Sequence, residues 1–302
     1  MSIRFDRPIS HAAHMSRVVA AFSLVLCAVA LLAHRFGPLA TPYMVLFVLV
    51  AAALAGFAVV LAAIGFVQLW QRGAEGGIPA FKAVVYAALP LALFGFALER
   101  YVTLPTIYDV STDIGDPPQW LAAPHAEQIW LRHDSVVTSA DRALQEEAYP
   151  ALIGRRYEGA IDRVIEAVRQ VAAENAIRIT QADGTDAGPP QPPAKPRRKP
   201  DANAPVTDAP DFIPVPTPRP LQDEVAGLIR RSTDVTLQGE KRTLVLGLRF
   251  DVLIRLREES ETTLVDIRVA SRYGSHDLGI SAAIAENYLK ALDAELLGTA
   301  GS

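Results

Sequence analysis

Three groups of side chains in this sequence are of types that could do chemistry. Ser271, Ser275, His276 and Asp277 supply a nucleophile, a base and an orienting acid in one short stretch. Nucleophilic catalysis needs those roles at hydrogen-bonding distance. Sequence neighbours are rarely arranged so, and no Gly-x-Ser-x-Gly elbow surrounds them. His125, Glu127, His133 and Asp134 are of metal-ligating types, at a spacing that fits no helix-borne zinc pattern. Asp109, Asp113, Asp116, Asp266 and Asp277 could furnish the paired carboxylates of a glycosidase-type site, since two such acids can lie far apart in the chain. Short acids beside Gly or Pro more often fix turns. Asp277-Leu278-Gly279 reads as the lead-in to a helix, with Ser281 as its cap. Complementary charge suggests a further arrangement, in which Arg268 and Arg272, with Asp266 and Asp277, form an ion-pair cluster that ties their strand to the Asp109 to Asp113 turn.

The elements that must position these residues divide the chain in two. Residues 1–100 hold three apolar runs, Val18 to Phe36, Tyr43 to Leu69 and Ala83 to Leu98, the first two each long enough to cross roughly 30 Å of hydrocarbon as a helix. Pro90 should kink the third. None of the three runs carries an acid or base in its middle, which argues for a packed anchor rather than an ion or proton path. Arg4, Arg7, Arg17, Arg72 and Lys82 fall on one side of the spans, Arg35 and Arg100 on the other. The positive-inside rule then places the amino terminus in the cytoplasm and everything after Arg100 in the periplasm of a bacterial inner membrane.

Residues 101–302 read as an α+β domain. The chain must leave its last span by Pro105, and the short polar residues from Asp109 to Asp116 predict tight turns before Pro117-Pro118. Gln119 to Glu147 keeps no convincing period and is expected to be irregular with some helix. Glu158 to Glu174 has apolar residues at spacings of three and four, an amphipathic helix. Ile177 to Thr180, Ala226 to Thr236, Arg249 to Arg257 and Thr263 to Ser271 read as strands, the last with Val265, Ile267 and Val269 towards the core. Ile280 to Leu297 closes the chain as a helix. The expected fold is an antiparallel sheet covered on one face by helices. Ala187 to Pro220, with about half of the 22 prolines, is expected to be a disordered insertion between two strands.

A net charge of −4 and a pI near 5.9 give no basic field of the kind nucleic-acid binding requires. The single cysteine, Cys27, lies in the first apolar run, so no disulfide framework is expected.

Pro105-Thr-Ile-Tyr-Asp-Val-Ser-Thr-Asp with Asp116-Pro117-Pro118, and Asp266-Ile-Arg-Val-Ala-Ser-Arg-Tyr-Gly-Ser-His-Asp-Leu-Gly279, resemble the opening and closing signatures of a bacterial family known as domain of unknown function 1499. Its members often follow membrane helices, and the resemblance implies an address without a mechanism. Where the family tends to show Asn and Arg after the final Gly, this chain has Ser281 and Ile284. The residues to which a ligand- or partner-binding role is assigned are Asp109, Ser111, Thr112, Asp113, Arg268, Ser271, Arg272 and Asp277. No metal or cofactor is expected. The expected function is a non-catalytic binding module of the cell envelope that contacts the bilayer and takes an envelope protein or a small apolar ligand. The competing expectation is an envelope hydrolase using the acids or His276.

Overall fold

The computed structural model describes residues 9–133, 136–184 and 234–298. Three helices, α1 (His11–Phe36), α2 (Thr41–Arg72) and α3 (Gly77–Thr103), are each long and apolar enough to cross a bilayer. They pack through small residues. Ala13, Ala20, Ala55, Ala58, Ala62, Ala80, Ala83 and Ala87 form the buried seam, while Phe22, Val29, Phe57 and Phe96 face outward. That inside-out pattern suits a bilayer, where helix association rests on close backbone approach rather than on hiding large side chains. A Cβ on Gly65 would lie 2.8 Å from that of Ala13, so glycine permits this contact. Ser23 Oγ donates to the Ala51 carbonyl at 2.7 Å and ties α1 to α2. The first helix starts at His11, ahead of the expected Val18, because the Ser10 hydroxyl accepts from the Ala13 amide and caps it. Pro90 lies inside α3, which continues to Thr103 and stops before Pro105 as expected.

The polar part is built on one sheet. Its strands are β1 (Asp109–Ser111), β2 (Arg155–Glu158), β3 (Ile177–Asp183), β4 (Asp234–Arg242), β5 (Arg249–Glu258) and β6 (Thr262–Ser271). The order is β1-β6-β5-β4-β3, and every pairing is antiparallel. β2 shares an edge of β6 with β1: β1 lies opposite 268–270 and β2 opposite 262–265. In the chain, α4 (Ser139–Ala148) lies between β1 and β2, α5 (Ile161–Glu174) between β2 and β3, and α6 (Ile280–Gly298) follows β6.

Helices α5 and α6 cover one face of the sheet. The core joins Val164, Val168 and Val171 of α5 and Tyr288, Leu289 and Leu292 of α6 to Phe250, Val252, Ile254 and Leu256 of β5 and to Val265, Ile267 and Val269 of β6. The alternation read from the sequence is therefore the observed one. The opposite face departs from expectation, since Leu253, Leu264, Asp266 and Ala270 are buried too. A strap, residues 112–122, crosses it. The strap accepts from Arg255 at the Asp116 carbonyl and from Arg268 at the Pro118 carbonyl, and ends on β4, where Gln238 Oε1 accepts from the Leu121 and Ala122 amides.

One expected strand shifts, and two short strands are additions. The strand expected from Ala226 to Thr236 overlaps the described residues only from Asp234, and it runs on to Arg242 because Gly239, Glu240 and Lys241 continue the pairing with β5. The short strand β1 falls where tight turns were expected, and β2 ends on Glu158, the expected first residue of the amphipathic helix, in a stretch to which no element was assigned; three or four residues carry too little periodicity to announce a strand. The proline-rich segment 187–220, expected to be disordered, lies outside the described residues.

Candidate functional site

The acids of the opening signature are held in two arginine clusters on the strap-covered face. Asp109 receives Arg142 Nη2 at 2.9 Å and Arg268 Nη2 at 2.9 Å, and it is buried. The Arg268 guanidinium also lies 4.9 Å from the centre of the Trp120 ring. Gln145 completes this cluster: its amide accepts from Ser111 N and donates to Ser111 O at 2.6 Å, as a neighbouring strand would, and so closes the outer edge of β1. In the second cluster Arg255 and Arg257 each donate an Nη2 to Asp113 and to Asp266, at 2.9 to 3.1 Å. Thr112 Oγ1 donates to Asp266 Oδ1 at 3.2 Å and accepts from Ile267 N. Burial raises the Asp113 pKa, but the Asp116 amide and the two arginines outweigh it and hold the carboxyl below its ordinary range.

Arg268 ties the last strand to the Asp109 to Asp113 turn as expected, and the rest of the expected cluster is corrected. Arg268 pairs with Asp109, not with Asp113, Asp266 or Asp277, and Arg272 binds Asp251 at 2.7 Å and Glu240 at 3.1 Å. The hydrogen bonds to Asp251 and the charge of Glu240 outweigh burial and raise the Arg272 pKa. Arg255 and Arg257 were read only as the polar alternates of a strand. Their role follows from register, which sets Arg255 opposite Asp266, and register is not written in spacing.

The closing signature forms a loop between β6 and α6. Asp277 is the cap: its two carboxylate oxygens accept from the Gly279 and Ser281 amides, each at 2.8 Å. Ser281, the expected cap, instead has a buried Oγ without a partner among the described residues. Leu278 has φ +57, a left-handed conformation that costs a leucine about 1–3 kcal/mol. It is clamped from both sides, its amide donating to His276 Nδ1 at 2.9 Å and its carbonyl accepting from Arg100 at 3.1 Å. Since Leu278 N can only donate and the Leu104 carbonyl, 3.2 Å from Nε2, can only accept, His276 carries its proton on Nε2. Both ring nitrogens are thus used, and the ring stacks on Tyr101 at 4.8 Å. Ser271 Oγ is turned to the Tyr273 backbone, and Ser275 is exposed. The serines, His276 and Asp277 are not assembled as a triad.

His125, Glu127 and His133 do not converge either. His133 stacks on Tyr108 with centroids 4.0 Å apart, and Asp134 lies outside the described residues. Among the described residues no group of three or more His, Cys, Asp or Glu is placed to hold a metal.

The loop instead walls a cavity of about 410 Å³ where the domain meets the membrane helices. Val45 of α2 and Tyr101 of α3 form one side, and Trp130, Leu248, Phe250 and Ile280 of the domain form the other. Ser271, Asp277 and His276 lie on its wall; Asp109, Ser111, Thr112, Asp113 and Arg268 do not, and serve the strap-covered face, while Arg272 pairs with Asp251 and Glu240. The cavity residues Trp130 and Leu248 had no sequence signal, because they approach Tyr101 only through the fold.

The two signatures are the ends of one module. Residues 109–292 match the family model described as protein of unknown function (DUF1499). The chain belongs to this family. No curated protein and no solved structure matches it. The DUF1499 region begins at β1 and ends within α6, so it comprises the sheet, the strap, the covering helices and the cap loop.

Proposed function

We propose that the chain is a membrane-anchored binding module whose DUF1499 domain faces the periplasm and takes a small apolar ligand at the membrane junction. The cavity carries this reading. Its walls come from both the spanning helices and the domain, and its apolar lining offers burial worth about 25 cal/mol per Å² of apolar surface. The engagement of both His276 nitrogens and both Asp277 oxygens in holding the loop favours a binding role over hydrolysis. The periplasmic assignment is favoured by charge: Arg17, Arg72 and Lys82 lie at the bundle end where Ser10 meets Glu75, and the domain lies at the other.

A photoreactive long-chain alcohol, cross-linked to the full-length protein in maltoside micelles and mapped by peptide mass spectrometry, tests the ligand. Labels should fall on 128–132, 248–250 and 271–280 and disappear in Ile280→Trp, which fills the cavity. Labels confined to the outward faces of α1, α2 and α3 would overturn it. A phosphatase reporter fused after Ser302 should be active; activity only of a cytoplasmic reporter would overturn the topology.

A further inference from the structure

A second cavity of about 320 Å³ opens beside the first, between the α1–α2 loop and the β4–β5 connection, and shares Thr41, Arg249 and Tyr273 with it. Its chemistry is different. Arg242, Arg249, Arg272 and His34 are on its wall, and Arg35 lies against Arg242, since a Cβ on Gly247 would be 3.1 Å from both side chains. Arg272 is neutralised by Asp251 and Glu240. Arg35, Arg242 and Arg249 form no ion pair among the described residues; Arg35 and Arg242 donate only to backbone carbonyls, of Leu244, Gly247 and His34. Burial, then the charges of Arg35 and Arg249, push the Arg242 pKa down, as mutual repulsion among guanidiniums requires.

Two further features point to an anion. Ala40 and Thr41, the start of the 32-residue helix α2, form part of the wall, and Ala40 provides no side-chain cap, so the helix dipole adds positive potential there. His34 is 6% exposed, and its Nε2 is buried without a partner among the described residues. Its Nδ1 lies 2.8 Å from the Leu39 carbonyl and therefore holds the proton, which leaves Nε2 to accept a hydrogen bond from a ligand hydroxyl.

We infer that this cavity binds a phosphate group bearing a hydroxyl, the headgroup of an anionic lipid whose chain enters the adjacent apolar cavity. Two guanidiniums on the wall that form no ion pair among the described residues, Arg242 and Arg249, with a third, Arg35, against Arg242, match the several oxygens of a phosphate better than the two of a carboxylate. The loop between two spanning helices lies at headgroup level, where lipid phosphate is the abundant anion. The tail rests on the apolar-ligand reading given above; the headgroup site stands on its own residues.

The test is equilibrium binding of fluorescent short-chain phosphatidic acid to the full-length protein in maltoside micelles, which contain no phosphate. Matched arms use neutral diacylglycerol and inorganic phosphate as competitors. Arg249→Ala should weaken phosphatidic acid by about tenfold, one charge-assisted hydrogen-bonding partner, and Arg249→Glu further. The Arg249 side chain is exposed and makes no hydrogen bond among the described residues, so the unfolding midpoint should not move. Arg169→Ala, on the exposed side of α5, should change nothing. Ile280→Trp should abolish diacylglycerol competition and leave competition by inorganic phosphate intact. Equal binding of phosphatidic acid and diacylglycerol, indifferent to Arg249, would overturn the headgroup site while leaving the apolar cavity standing. Arg249-dependent competition by inorganic phosphate with no diacylglycerol binding would support the anion site with free phosphate as its source, and would remove the apolar cavity.

Discussion

Asp116 and Asp266 contact the same arginine and should differ sharply in what their loss costs. The Asp266 side chain is 3% exposed and shared by Arg255 and Arg257, so Asp266→Ala removes a buried acceptor from both guanidiniums, leaves Asp113 as the acid they still share, and should cost about 1.5–3 kcal/mol. The Asp116 side chain is 73% exposed, and Asp116→Ala should cost less than about 1 kcal/mol. Thermal unfolding of the micelle-bound protein separates the two; equal losses would show that the cluster does not act through burial. Asp113 adds a pH signature. Its folded-state pKa lies below the unfolded value of about 3.9, so the stability it contributes is full above that pH and is lost as pH falls through the lowered folded value. The stability difference between the native chain and Asp113→Asn should therefore shrink below about pH 4 and stay constant above pH 5. At this scale the sequence disclosed that the acids of one signature answer arginines elsewhere, but not which ones. Asp109, Asp113, Arg268 and Arg272 are all ion-paired, yet each partner was fixed by cross-strand register or by the path of the strap.

Periodicity made the long elements legible. The helices α5 and α6 and the strands β5 and β6 carry enough apolar residues for a period to emerge, and their core faces are those the spacing indicates. The strap had no such signal. Residues 112–122 form neither helix nor strand, and their order comes from Arg255, Arg268 and Gln238 beneath them. Gln238 holds the far end, accepting from two amides and donating to the Ala122 carbonyl at 2.8 Å. Gln238→Ala leaves those groups unpaired and should cost about 1–3 kcal/mol. Hydrogen exchange should quicken at Leu121 and Ala122 while β4 stays protected; loss of protection along β4 as well would make Gln238 a strand residue first and a strap anchor second.

On the scale of the whole molecule, the sheet stands on the bundle by one end. Arg35 donates to the Leu244 carbonyl, Arg242 to His34 and Arg100 to Leu278, while His276 donates to Leu104, so the β4–β5 connection and the cap loop meet the helix ends together. β5 then runs ten residues away from them, about 33 Å at strand rise, to the turn at Glu259. The two turns are chemically opposite. Leu244 and Val245 are 81% and 83% exposed beside the helix end that carries Phe36, whereas the distal turn holds Glu258, Glu259 and Glu261. Exposed neighbouring apolar residues at that depth are explained if the tip rests in the interfacial layer of the bilayer. Nitroxide labels at Val245→Cys and Glu261→Cys, in a Cys27→Ala background that removes the only other thiol, measure this in reconstituted bilayers. The label at 245 should relax with dissolved oxygen, which concentrates in lipid, and the label at 261 with a water-soluble nickel chelate. Aqueous accessibility at both positions would mean that the domain stands clear of the surface, and the two cavities would then open to water rather than to lipid.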